Sequence, residues 1–92
     1  MDGGIKKMIK VLVLPNQILI GTIEEVTSEL GEPDCKITKP YIIKEYSDTR
    51  HTMEPWLSDY TGQDSIMMHS DKILTIVDPK PSFIEQYNDL IK

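Results

Sequence analysis

At 92 residues the chain is one domain, and a domain of this size buries only about two-thirds of the surface its unfolded chain exposes, so self-assembly is a natural supplement to its stability. Hydrophobic residues at 39% and charged residues at 27% exclude a disordered chain, and the formal net charge of −5 argues against a broad, sequence-independent grip on nucleic acid. A single cysteine, Cys35, excludes an intrachain disulfide framework and suits a reducing compartment.

The opening stretch, residues 1–6, carries two adjacent glycines and reads as a loose start. Lys6, Lys7 and Lys10 cluster there, and a solvated N-terminal edge accounts for them. Residues 8–14 (MIKVLVL) read as a strand, Pro15-Asn16 as a turn, and 17–26 (QILIGTIEEV) as the return strand of a hairpin. Proline presets φ at the first central position and asparagine tolerates a positive φ at the second, which predicts a type II turn. Val11 to Leu14 and Ile18 to Ile20 are apolar without alternation. A hairpin with one buried face should alternate, so both faces are expected to be covered: one by a barrel interior, the other by a helix or a neighbouring subunit. Gly21 interrupts the second run and marks a bend or bulge.

Residues 27–34 are turn-rich, and 35–46 read as a third strand whose Pro40 requires an edge or a bulge. Residues 47–65 are polar, with Trp56-Leu57 as the one strongly apolar anchor, and read as a long excursion, a hairpin extension with an exposed tip. Two short strands follow at 65–70 and 72–77, separated by a tight turn near Ser70-Asp71. At the end, Ser82 and Glu85 have capping-box spacing with Pro81 ahead of them. Phe83, Ile84, Tyr87, Leu90 and Ile91 fall on one helical stripe. This predicts an amphipathic helix over about 82–91, lying on the outer face of the first hairpin. Strands span about 7–77, and residues 1–92 form a single domain.

No Gly-x-Ser-x-Gly elbow frames a nucleophile, His51, His69 and Cys35 lack metal-ligand spacing, and no phosphate-cradling glycine loop occurs. The acidic pairs Glu24-Glu25 and Glu29/Glu32 read as a solvated strand edge and loop. No catalytic residue, metal or cofactor is expected. Tyr41, Tyr46, Tyr60, Trp56 and Met53 suit either an interaction surface or packing beneath their own loop. No apolar run approaches the roughly 20 residues of a membrane span and no signal-peptide pattern opens the chain, so a soluble, cytoplasmic protein with no membrane contact is expected.

Two stretches carry a family resemblance. The first offers Val11 and Val13, Asn16 where the family has a glycine, then Ile18, Gly21, Ile23 and Val26. The second runs Met67-Met68-His69-Ser70-Asp71-Lys72-Ile73-Leu74-Thr75-Ile76, with His69 and Ser70 where the family has Arg and Gly. In order, the two resemble the motifs of the Sm-like (LSm) family. The C-terminal placement of the helix, with the GEPDCK and LTIVDPKP segments, is similar to the divergent Sm-like proteins of cyanophages and related marine phages. The resemblance implies a mainly β fold: a strongly bent five-stranded open barrel of SH3-like type with a short C-terminal helix.

It also implies a cyclic homo-oligomeric ring. The strand around 65–69 of one subunit would pair with residues 72–77 of the next, placing Met67, Met68, Ile73, Thr75 and Ile76 at the interface, although Met67-Met68 in a strand, read from the residues alone, are better explained by core filling. Family members hold a base of single-stranded RNA in loops around the pore, and the corresponding positions here are Thr27, Gly31, His69, Ser70 and Asp71. With a loop insertion, Asp34 takes the place of Gly31. The missing Arg removes a stacking plane and a permanent charge, although His69 can still stack. Two functions therefore remain open: single-stranded RNA binding at the pore loops in phage or host RNA metabolism, or a structural or adaptor ring that has lost the RNA site and engages another protein.

Overall fold

A computed structural model describes residues 8–26, 29–47 and 50–92, leaving aside the side chain of Tyr46. The expectations for residues 1–7, including Lys6 and Lys7, and for the Tyr46 side chain lie outside the described residues. Six strands precede a terminal helix: β1 (Met8–Val13), β2 (Ile18–Glu25), β3 (Cys35–Ser47), β4 (Arg50–Pro55), β5 (Ser65–Met68) and β6 (Thr75–Val77), then α1 (Pro81–Leu90). They form one antiparallel sheet in the order β4-β3-β2-β1-β6, with β5 paired to β3. The sheet does not close into a full barrel.

The unbroken apolar runs of the first hairpin divide between two cores. Leu12, Leu19 and Ile23 join Cys35, Ile37 and Met68 on one face, with Leu14, Ile42, Trp56, Ile66 and Ile73 packed around them. Their alternates, Ile9, Val11 and Ile20, lie on the opposite face with Tyr41, Ile43 and Met53. There α1 covers them with Phe83, Tyr87 and Ile91. The absence of alternation thus reports a sheet buried on both sides, with the helix on the outer face of the first hairpin as its stripe requires.

The irregularity expected at Gly21 is a bulge, with the extra residue on the facing strand. The β2–β3 register shifts between Ile20 and Thr22, so that Lys39 and Pro40 of β3 together stand opposite Gly21. Because Pro40 donates nothing to the ladder, a bulge is where a long strand tolerates it. Lys39 takes a left-handed backbone with φ 52°. The amides and carbonyls freed by the bulge find other partners. Lys39 N–H donates to Asp64 O at 2.7 Å and Trp56 N–H to Pro40 O at 2.9 Å. The Tyr87 hydroxyl, from α1, lies 3.0 Å from Thr38 O and 2.9 Å from Lys39 O. Tyr87 is completely buried, and its ring meets Tyr41 edge to face at 5.9 Å. One side chain therefore both fills the outer core and satisfies the bulge.

The structure corrects several sequence expectations. The sheet has six strands rather than five, because residues 50–55 form β4, a hairpin partner of the second half of β3. Only Met53 of that strand is buried, so the stretch lacks the apolar pattern that marks a strand. The 56–64 excursion begins only after it. Residues 70–72 are a 3-10 turn and only 75–77 pair as a strand. Asn16 does not adopt a positive φ; among described residues outside glycine only Lys39 and Leu57 do. A Pro-Asn pair fits a right-handed type I turn equally well.

Ser82 does not cap the helix. Pro81 occupies the first helical position, where its missing N–H and fixed φ suit it, and this moves the N-cap to Lys80, which offers no side-chain bond. Glu24 is buried rather than solvated. Of the residues offered as an interaction surface, Met53 is buried, Tyr41 and Trp56 pack against the cores, and Tyr60 stands exposed. No helix among the described residues is long and apolar enough to cross a membrane.

Candidate functional site

The loop between β2 and β3 and the turn between β5 and β6 meet because β3 pairs with β2 on one side and β5 on the other. Cys35 faces both Glu25 and Met68, so the segments just beyond these strands emerge together. Asp34 joins them. Its N–H donates to Met68 O at 3.2 Å, and its carbonyl accepts from Val26 N–H at 3.2 Å. Its carboxylate accepts from the Ser70 backbone N–H at 2.9 Å and from the Ser70 hydroxyl at 2.8 Å. These donors hold the carboxyl below its ordinary value, the Ser70 amide contributing most, with the charge of His69 adding to the effect. The 3-10 turn is closed in turn by Lys72 N–H to His69 O at 3.0 Å and Ile73 N–H to Ser70 O at 3.1 Å.

Among the expected loop residues, His69, Ser70 and Asp71 lie together and exposed. Gly31 sits at φ 87° in the exposed loop, where a Cβ would meet nothing within 4 Å. Its glycine answers a backbone requirement, not a lack of space. Thr27 lies outside the described residues. The side chain brought against the second loop is that of Asp34, the position reached by the inserted alignment. Its partner Ser70 is 36 residues away, and no local pattern signals that contact.

Chemically, this cluster is a latch that ties the two loops together. The Ser70 hydroxyl donates to Asp34 and not to an imidazole, so the base-to-nucleophile contact of a Ser-His-Asp triad is lacking. Among the described residues no three His, Cys, Asp or Glu side chains converge as a metal site. The Cys35 thiol is buried, and its pKa is raised by that burial and by the neighbouring Asp34 and Glu25.

The residues expected at an intersubunit edge divide in two. Met68 is buried in the core on the face away from α1 and Ile73 packs against it. Met67, Thr75 and Ile76 are exposed, and with them Leu74 (67% exposed) and Val77. Leu74 and Val77 fall within the edge strand expected over 72–77, although they are not among the residues expected at its interface.

Residues 7–92 match the model of a family of unknown function, DUF6561. The chain belongs to that family. The match takes in every element from β1 to α1, so the Asp34–Ser70 latch and the β6 edge both lie within the DUF6561 span. A comparison with curated proteins returned no match.

Proposed function

We propose that the protein is a Sm-like subunit that assembles edge to edge into a homo-oligomeric ring and serves in the cytoplasm as a structural or adaptor module. The contrast between β4 and β6, the two ends of the main strand order, carries this reading. β4 is blunted by Arg50, His51, Glu54 and Pro55, the charges and proline that protect an edge from pairing. β6 has no such protection: Leu74, Ile76 and Val77 are exposed and no charged residue occurs between Ile73 and Val77. An exposed apolar edge favours pairing with another strand, and in a Sm-like ring the β5 edge with Met67 is the surface it would meet. The strand order, the bulge opposite Gly21, and the 3-10 turn before the last strand are consistent with this scaffold.

Size-exclusion chromatography with light scattering tests the proposal. A ring is expected for the natural chain and a folded monomer for Leu74→Asp, whose side chain is not needed in the subunit's own core. A monomeric natural chain would sink the reading. Ile73→Asp is a poor probe, because Ile73 packs in the core.

A second reading, a single-stranded RNA site at the pore loops, draws on the adjacency of Asp34, His69 and Ser70. The charge of −5 per subunit opposes it, and Asp34 and Asp71 add negative charge where phosphates would pass. Anisotropy titration of oligo-U and oligo-A at low salt separates the two: saturable binding supports the RNA reading, and none leaves the adaptor.

A further inference from the structure

At the β3 bulge the molecule opens a cleft of about 410 Å³ between the 56–64 excursion and the last turn of α1. This lies in the range of small-molecule sites, about 300–1,000 Å³. The base of the excursion is closed by the two backbone bonds that also satisfy the bulge, Lys39 N–H to Asp64 O and Trp56 N–H to Pro40 O.

Backbone strain borders the same cleft. Among described residues outside glycine, the two with positive φ are Lys39 at 52° and Leu57 at 67°. Lys39 lines the cleft, and Leu57 lies between the lining residues Trp56 and Ser58. Glycine, asparagine or aspartate adopts this conformation more readily than lysine or leucine. Strained positions of this kind concentrate at ligand clamps, where the side chain is needed.

The lining is chemically divided. Pro40, Tyr41 and Trp56 are among its apolar and aromatic lining residues, Lys39 and Lys92 are cationic and Asp64 is acidic; the Tyr41 ring also packs edge to face on Tyr87. Among the described residues each ammonium makes one long, exposed ion pair, Lys39 to Asp64 at 3.7 Å and Lys92 to Asp89 at 3.6 Å. Such pairs are weak and readily exchanged for another anion. Gln63, by contrast, donates its side-chain amide to Ser65 O and its backbone N–H to the Thr61 hydroxyl oxygen, both within the loop.

We propose that this cleft binds a small planar organic anion, its ring against Pro40, Tyr41 and Trp56 and its carboxylate or phosphate head on Lys39 and Lys92. No residue of the β6 edge lines the cleft, so this site stands or falls separately from ring assembly. Titration of the ¹⁵N-labelled chain by NMR, with indole-3-carboxylate and with adenosine monophosphate, tests it and distinguishes the two head groups. The uncharged indole and adenosine are the controls.

Saturable shifts are expected at the Lys39, Trp56 and Gly62 amides with at least one anion and not with its control. Lys39→Gly should weaken binding about tenfold or more, the scale of one lost charged contact, while raising the thermal midpoint by relieving the left-handed backbone. Lys92→Gln, at an exposed position away from the bulge, should weaken binding without changing the midpoint. Absence of saturable shifts with both anions, or unchanged affinity in both variants, overturns the proposal.

Discussion

Ser70 offers its backbone N–H and its hydroxyl to one carboxylate, and this sets the pH behaviour of Asp34. Both donors favour the ionised form, so the folded-state pKa lies below the ordinary 3.8. The stabilisation is therefore fully present above that ordinary value and is lost as pH falls through the lower, folded value. Urea unfolding of the natural chain and Asp34→Asn should show a constant stability difference from pH 7 to pH 5, shrinking once pH drops below about 4. A difference that stays unchanged down to pH 3 would falsify the latch. The sequence indicates Asp34 only as one of two alignments, because its partner is distant in the chain and the choice depends on how the strands pair. His69 and Ser70, by contrast, are legible as loop residues from the run of short strands around them.

At the scale of elements, Gly21 lets β2 pack closely on the Ile37 side chain of β3. A Cβ on Gly21 would lie 2.6 and 2.7 Å from the Ile37 Cγ1 and Cδ1 atoms, and Ile37 is fully buried. Gly21→Val should therefore cost about 1–3 kcal/mol by overpacking, read as a lower urea midpoint with an unchanged m-value. A cost below a few tenths of a kcal/mol would mean that this contact does not require the glycine. The glycine, the proline at 40 and the amphipathic stripe of α1 were each visible in the sequence because each is a local signal. β4 was not, since one buried residue in six carries no period. The start of α1 was misread because Ser82 and Glu85 have the right spacing, and yet Pro81 takes the first helical position ahead of them.

For the whole molecule, the unprotected β6 edge links stability to concentration. If subunits pair along it, the assembled form is favoured by mass action, and the thermal midpoint should rise with protein concentration. Leu74→Asp should have a midpoint independent of concentration over the same range. A natural chain whose midpoint is flat across a hundredfold dilution argues against edge pairing, whatever its behaviour on a column. The net charge of −5 per subunit predicts that added salt favours assembly, by screening repulsion between copies.

The sequence by itself determined a mainly β chain, a first hairpin buried on both faces, an irregularity at Gly21 and a closing amphipathic helix. All of these rest on periodicity and on residues with restricted backbones, which act within a few positions. Only the tertiary structure decided that Met68 faces inward while Met67 is exposed, that Ile73 packs inward while Leu74 and Val77 remain exposed, that Asp34 meets Ser70, and that Tyr87 satisfies the β3 bulge. Those outcomes depend on strand register and on contacts across 36 to 49 residues, and a shift of one residue in register would exchange the faces.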